Sequence, residues 1–508
     1  MSFQTNFATP KLVGFFVMVA GLVVAVVMGR MLAQGNVLTP ALIIGMLLGA
    51  TLVLSLSGSY WFLLPVGFAF AIPAIPMGPR QFELWEVCFA AVTAFFVARL
   101  CMKREQLYLV RPANIPIFLF CAWVLVVYAN NPAGFLMLGA GMGGIRFYLQ
   151  IFFALMVFLM LSSKSYSERE AKIITRIVIL GAIVTTAYNC LRYAGSGGEN
   201  DADDFYSWHQ ALSLLPALLG AFLFTKYSMR DIFLMARPVA TGSWLLLLFF
   251  ALYSGKRAVL GVFLTYPFVS LLLKPINRGP AVFYSLLLAA GLAIVVIGNG
   301  TFFDLPLGMQ RALSTLPGNW DPRVVSADGG SSDAFREQMR ELAWNRIHES
   351  PWLGRGIGIN IADLRGMDIG AGYNTVALLA AGGAWHSTIV GIMADLGIPA
   401  LGFWIIYVIA SLFLGYEVYR MAPEKSYQQL LAGAFVLLFM SDLLRSYTSG
   451  SAYIWCLNQW WMYGILVGMR YSLLEEKRRD RQKIKKGVSS LDAPELPGPV
   501  RPVPAGRA

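Results

Sequence analysis

Charge is what this chain has least of. Asp, Glu, Lys and Arg supply 13% of its 508 residues, about half the share that a soluble globular chain carries. A composition so poor in charge excludes a string of independently solvated domains. Histidine is scarcer still, with three in all, so any imidazole chemistry has to come from His209, His348 or His386. The five cysteines, Cys88, Cys101, Cys121, Cys190 and Cys456, show neither paired nor metal-like spacing and read as small core residues. No internal repeat is visible, which counts against transporters built from repeated halves. Alternation of polar and apolar residues is missing too, which argues against a membrane-spanning barrel. No stripe interleaves basic and aromatic residues, so nucleic acid is not an expected partner.

What the chain does have is apolar residues in long runs. Hydrophobic side chains make up 57% of it. They fall into about fourteen stretches near the roughly 20 residues that a helix needs to cross a hydrocarbon core. The runs lie near 13–33, 38–56, 60–77, 82–101, 114–130, 145–162, 173–191, 208–225, 238–254, 258–274, 280–298, 387–417, 428–447 and 453–471. A helix satisfies its own backbone in lipid. The expected fold is therefore an all-α polytopic membrane protein of about 14 transmembrane helices with one long, partly helical periplasmic loop. The first run is too long and too weakly flanked for a cleaved signal peptide. The run 387–417 is long enough to tilt or kink. The expected divisions are a transmembrane bundle of about eleven helices over 1–299, a periplasmic loop or lid over 300–386, C-terminal transmembrane helices over 387–472, and a basic, disordered cytoplasmic tail over 473–508.

The formal net charge of +12 gives the orientation. Basic loops stay on the cytoplasmic side, which puts the tail segment Glu475–Lys486 inside. Counting back through the runs places Arg420 with Lys425, Lys274 with Arg278, and Lys226, Arg230 and Arg237 on that side as well. These cations can touch anionic lipid headgroups. The acidic loop Glu199–Asp204, the pair Lys256–Arg257 and the polar stretch from Gly300 to His386 fall outside, and both termini inside.

A basic cluster on the outer face needs a reason. Lys256 and Arg257, beside Ser254 and Gly255, are either cations snorkelling to headgroups or a seat for an anion, since the planar arginine fork suits phosphate. Downstream, Ser332 or Asp333 can cap a helix that runs to about Glu349 and stops before Pro351. Phe335, Met339, Leu342, Ala343 and Ile347 form its apolar stripe, while Arg336 and Arg340, four residues apart, share a face. That helix either lies on the membrane or acts as a lid that carries arginine to a bound phosphate. His386 opens the next apolar run, where an imidazole is either a boundary residue or a general base. Asp395, a few turns further on, is costly in lipid and calls for a cation partner. Asp442 and Arg445 pair locally or line a cavity, and Glu83, Glu86 and Arg146 stand near outer ends. His209, beside the acidic run, has no ordered metal-ligand spacing around it.

The order of these features resembles the superfamily of O-antigen ligases and O-antigen polymerases. That superfamily's ligase pattern is His, then Asn, Ser or Gln, nine residues, Gly, two residues, then Gly, Thr or Tyr. His386, Ser387 and Gly397 match it, and Ala400 stands at the last position. The lid pattern is matched by Ser332, Arg336 and the turn from Pro351 to Gly356. Trp344 comes four residues later than the usual Trp, whose place Arg340 takes. The resemblance implies a metal-independent, inverting membrane glycosyltransferase of the bacterial inner membrane, with its active site facing the periplasm. Its donor would be a polyprenyl-diphosphate-linked oligosaccharide, and no cofactor is expected beyond that lipid. On this resemblance His386 is the catalytic base. Arg257 and Arg336 hold the diphosphate, with Lys256, Arg340 and Arg146 as further candidates. The expected job is polymerisation of exopolysaccharide or O-antigen. The alternatives are ligation of a glycan to lipid A-core and, from a different class, a lipid-linked glycan flippase. Expected partners are the glycan or lipid A-core acceptor, membrane lipids and a chain-length regulator of polysaccharide export.

Overall fold

The structure is a computed structural model that describes residues 60–69, 75–77, 80–82, 84–102, 105–109, 111–132, 146–195, 212–274, 278–326, 333–357, 385, 387–448 and 454–491. These residues are overwhelmingly helical. In chain order they form α1 (Leu63–Ala69), α2 (Leu84–Cys101), α3 (Ile115–Asn130), α4 (Arg146–Ser163), α5 (Glu168–Gly195), α6 (Leu214–Lys226), α7 (Met229–Phe233), α8 (Pro238–Tyr253) and α9 (Arg257–Leu273). Then follow α10 (Arg278–Gly298), α11 (Leu307–Leu313), α12 (Pro322–Ser326), α13 (Asp333–Glu349), α14 (Thr388–Leu396), α15 (Ile398–Met421), α16 (Tyr427–Thr448) and α17 (Ile454–Leu491). A small antiparallel hairpin of β1 (Ile75–Met77) and β2 (Arg80–Phe82), with Ile75 opposite Phe82, interrupts the series.

Helix ends follow local chemistry. α3, α8 and α15 begin with proline in their first turn, where its missing N–H costs nothing and its fixed φ favours entry. Ser228 and Asp231 make a reciprocal capping box on α7, each satisfying a donor the other leaves open. The hairpin has an equally local cause. Pro73, Pro76 and Pro79 deny a helix the donors and space it needs. Among its described residues the expected run 60–77 holds the short α1 and then a strand at Ile75–Met77, so it is not one continuous span.

Among the described residues, four helices are long and apolar enough to cross a membrane: Pro112–Asn130, Glu168–Leu191, Ile398–Met421 and Tyr427–Ser446. Six shorter apolar helices accompany them, among them Leu214–Lys226, Pro238–Tyr253 and Arg257–Leu273. The expected spans at 13–33 and 38–56 lie outside the described residues. The run 387–417 does kink, breaking at Gly397 into α14 and α15. The tail differs from expectation as well. α17 continues without a break to Leu491, so residues 473–491 are helical. Glu and Lys/Arg are good helix formers, and an Arg479–Glu475 pair four residues apart supports the exposed stretch.

Large apolar side chains point outward as freely as inward. Leu125 is 67% exposed, Leu272 71%, Ile294 69% and Phe413 72%, while Phe120, Phe158, Tyr266 and Tyr407 of the same bundle are almost wholly buried. A surface this apolar around a packed apolar core is suited to lipid. The core is one continuous cluster joining α3–α6, α8, α9 and α14–α17. α16 is its central post and packs against α5, α6, α9, α14, α15 and α17.

Several helices share two ends. At one end lie Ser213 before α6, Ser254 after α8, Lys256 before α9 and Arg445 near the close of α16. At the other lie Lys226, Arg237, Lys274 and Tyr427 on the same four helices. With a rise of about 1.5 Å per residue, α9 separates its two ends by about 26 Å, close to the thickness of a hydrocarbon core.

Candidate functional site

α13 occupies the bounds that its cap and Pro351 foretell, but its stripe does not face a membrane surface. Met339, Ala343 and Ile347 are buried against Trp385 and Ala394, with Leu342, Val390 and Met393 beside them. α13 is thus fastened to α14. Arg346 crosses the seam, with its guanidinium carbon 4.9 Å from the centre of the Trp385 ring. The indole Nε1 of Trp385 donates to Asp395 Oδ1 at 2.9 Å. Asp395 is 2% exposed, and its Oδ2 has no hydrogen-bonding partner among the described residues. Burial pushes this carboxyl up to about 7, against the opposing pull of the Trp385 hydrogen bond and the Arg346 charge. Asp395 stands in the nine-residue α14, ahead of the span that begins at Ile398. Its hydrogen-bond partner is the neutral indole of Trp385, and the cation that acts on it is Arg346.

The turn after α13 closes over the end of α14. Arg355 N–H donates to Ala394 O at 3.1 Å, Gly356 N–H to Asp395 O at 2.8 Å, and Ile398 N–H returns to Pro351 O at 2.9 Å. Trp123 Nε1 on α3 donates to Leu396 O at 2.8 Å. The last carbonyls of α14, which no helix can satisfy internally, are therefore met from outside. Such closeness leaves no room for a side chain at two positions. Gly397 has φ +82, and a Cβ there would collide with the Trp352 carbonyl. Gly354 has φ +63, and a Cβ there would fall on the Asp395 backbone. The glycines of the two sequence patterns, far apart in the chain, thus form one joint. Arg355 is held outward by Glu349.

The N-terminal end of α14 meets the basic pair. Ser387, buried, caps α14 by accepting from Val390 N–H, and its Oγ also donates to Ser446 O at 3.3 Å. One residue earlier on α16, Arg445 sits 3.8 Å from Asp442, whose other oxygen accepts from Gln459 at 3.2 Å. The Arg445 charge also acts on Lys256. Burial, then that neighbouring charge, lowers the Lys256 pKa, and its Nζ lies 3.5 Å from Ser213 Oγ. Arg257 donates to Ser314 Oγ from Nε at 3.2 Å and from Nη2 at 2.8 Å. Lys256, Arg257, Arg445, three serines and the start of α14 therefore gather at one end of the bundle. Lys256 and Arg445 repel one another on partly dry ground, and an anion placed beside them relieves that repulsion.

The other expected site residues are distributed as follows. Arg336 is half-buried on α13 and has a partner of its own. Arg340 is half exposed and pairs with Glu337 at 2.8 Å. His348 is exposed on the same helix. Arg146 opens α4, and its side chain lies outside the described residues. His386 and His209 also lie outside them. Among the described residues no trio of His, Cys, Asp and Glu could hold a metal ion. Arg445 gained its place here through Lys256, and Trp385 and Arg346 through Asp395. In the sequence the only signals were the position of Trp385 beside His386 and that of Arg445 at the polar end of an apolar run. No protein-family model matches the chain, and no curated protein matches it either.

Proposed function

We propose that this protein is a membrane glycosyltransferase which transfers or polymerises saccharide from a polyprenyl-diphosphate-linked donor onto a glycan acceptor. On this reading it crosses the bacterial inner membrane about fourteen times, and its 300–386 loop faces the periplasm. One observation supports this most: Lys256, which stands just before Arg257 at the start of α9, feels the Arg445 charge, and Arg445 precedes Ser446, whose carbonyl accepts from Ser387, the residue after His386. In the reaction an acceptor hydroxyl oxygen forms a bond to the anomeric carbon while the bond to the diphosphate oxygen breaks. The polyprenyl diphosphate departs with the electron pair. Its growing negative charge is what Arg257, Lys256 and Arg445 stabilise, with Arg336 carried in on the lid. The proton of the acceptor hydroxyl passes to His386. Attack from the face opposite the leaving group inverts the anomeric centre. Each lost donor of this kind costs about 10²–10³ in rate.

Ligation to lipid A-core uses the same steps with another acceptor. A flippase would need cations in a cavity at mid-membrane, whereas these stand at helix ends. The test is transfer in vesicles by purified protein with a defined lipid-linked donor. Arg257→Ala with Arg336→Ala should abolish turnover while expression and melting behaviour are kept. Normal transfer by that stably folded double variant would remove the proposal.

A further inference from the structure

At the far ends of the same helices lies a second polar site with no role in this transfer reaction. The close of α6, α7, the start of α8, the close of α9 and the α15–α16 connection enclose an open cavity of about 960 Å³. Five cations line it, Lys226, Arg237, Lys274, Arg420 and Lys425, against the carboxylates Asp231 and Glu424. Asp231 is already engaged. It accepts from Ser228 N–H at 3.0 Å and Ser228 Oγ at 2.8 Å, and lies 3.5 Å from Arg237. Lys274 donates to Phe224 O at 3.0 Å and Tyr227 O at 2.8 Å, which uses two of its three N–H groups. Burial pulls its pKa down to about 8. Lys226 and Arg237 lie over the Tyr227 ring at 5.2 and 5.7 Å. Lys425 is held at φ +61, a conformation that side chains rarely adopt. Leu273 and Leu430 add apolar wall.

We propose that this cavity binds the phosphate of an anionic amphiphile, a phosphate ester whose charge the five cations neutralise and whose carbon skeleton lies along the leucines. The size of the cavity suits a glycerophosphate headgroup better than a bare inorganic ion. Its position, about 26 Å along α9 from Lys256, sets it at the opposite membrane face, where basic pockets between helices meet lipid headgroups. This inference stands apart from the transferase reading, because it uses none of the same residues.

The experiment is native mass spectrometry of the full chain in detergent with phosphatidylglycerol, phosphatidylcholine or inorganic phosphate added. Lys226→Gln/Arg420→Gln/Lys425→Gln is the variant, chosen because it spares the Asp231 and Lys274 contacts that hold the backbone. Wild type should retain phosphatidylglycerol and not phosphatidylcholine, and the variant should retain about tenfold less or lower still. Displacement of the lipid by inorganic phosphate would assign the same seat to a free phosphate. Equal retention of both lipids by wild type, or full retention of phosphatidylglycerol by the variant, overturns the proposal. Should the triple variant fail to fold, the salt response of wild type decides. Retention has to fall as ionic strength screens the cations, and retention indifferent to salt overturns the proposal.

Discussion

Replacing Gly397 with alanine should break the joint between the lid and the bundle. The residue sits at φ +82, ψ 170, a region almost restricted to glycine, where any other residue costs about 1–3 kcal/mol. The new methyl would also strike the Trp352 carbonyl, so the turn has to move. That shift puts at risk the bonds from Ile398 to Pro351, Arg355 to Ala394 and Gly356 to Asp395, each worth about 0.5–1.5 kcal/mol net. Strain plus one or two lost bonds comes to about 1.5–6 kcal/mol, localised to the lid. Hydrogen exchange of the detergent-solubilised protein reads such local opening directly. At about 1.4 kcal/mol per factor of ten, protection of Arg355–Ile357 should fall by about tenfold to 10⁴-fold, and α16 should keep its protection. Gly402→Ala is the control, since a Cβ there meets nothing within 4 Å and lies inside α15, where alanine is the better helix former. Should Gly397→Ala exchange within about threefold of wild type across the turn, the close approach does not hold the lid and the reasoning fails.

Asp395→Asn should flatten a pH dependence. The fold favours the protonated carboxyl, so the native lid contact weakens as pH rises from the ordinary carboxylate range towards about 7 and is level above it. Exchange in α13 followed against pH should show that slope in wild type and not in the variant, and parallel profiles would refute the assignment. His386→Gln should lose transfer, since an amide takes no proton at neutral pH. Single-turnover rates should fall at low pH with a histidine-like midpoint in wild type, and near-native turnover of the variant would leave the cations alone to carry the mechanism. Alkaline phosphatase fused after Gly330 should be active and at the tail inactive, and the reverse pattern would invert the orientation.

The bounds of α13 were legible because caps and prolines act locally: Asp333 stands at one end and Pro351 just past the other. Its partner was not. A stripe such as Met339, Ala343 and Ile347 specifies a face to be covered, and headgroups or α14 would cover it equally well. The Arg346–Trp385–Asp395 group was hidden for the same reason, since its members lie on separate segments and meet only once α13 docks. Arg445 was visible as a charge at the end of an apolar run, yet nothing local reveals that Lys256 lies near it. The short α1 was more open to reading than the apolar run 60–77 suggested, because Pro73, Pro76 and Pro79 outweigh hydropathy. Helical continuation of α17 into its basic stretch was visible in the Glu475–Arg479 spacing. A search for apolar length alone stops where the charges begin.

The short outer helices bear on the shape of the surrounding bilayer. α8 and α9 have 16 and 17 residues, or about 24–26 Å of helix, and turn Val239, Phe249, Phe268 and Leu272 outward. A hydrocarbon core of about 30 Å overhangs them by a few ångströms. On the proposed placement in the membrane, tilting only shortens their reach, so the lipid yields by thinning, at a fraction of a kcal/mol per ångström. α15, with 24 residues, makes no such demand. On that placement the bilayer is pinched beside α8 and α9, and α15 leaves it at full thickness. On the same proposed placement, phosphates of lipids beside α8 and α9 sink towards the level of Lys256 and Arg257.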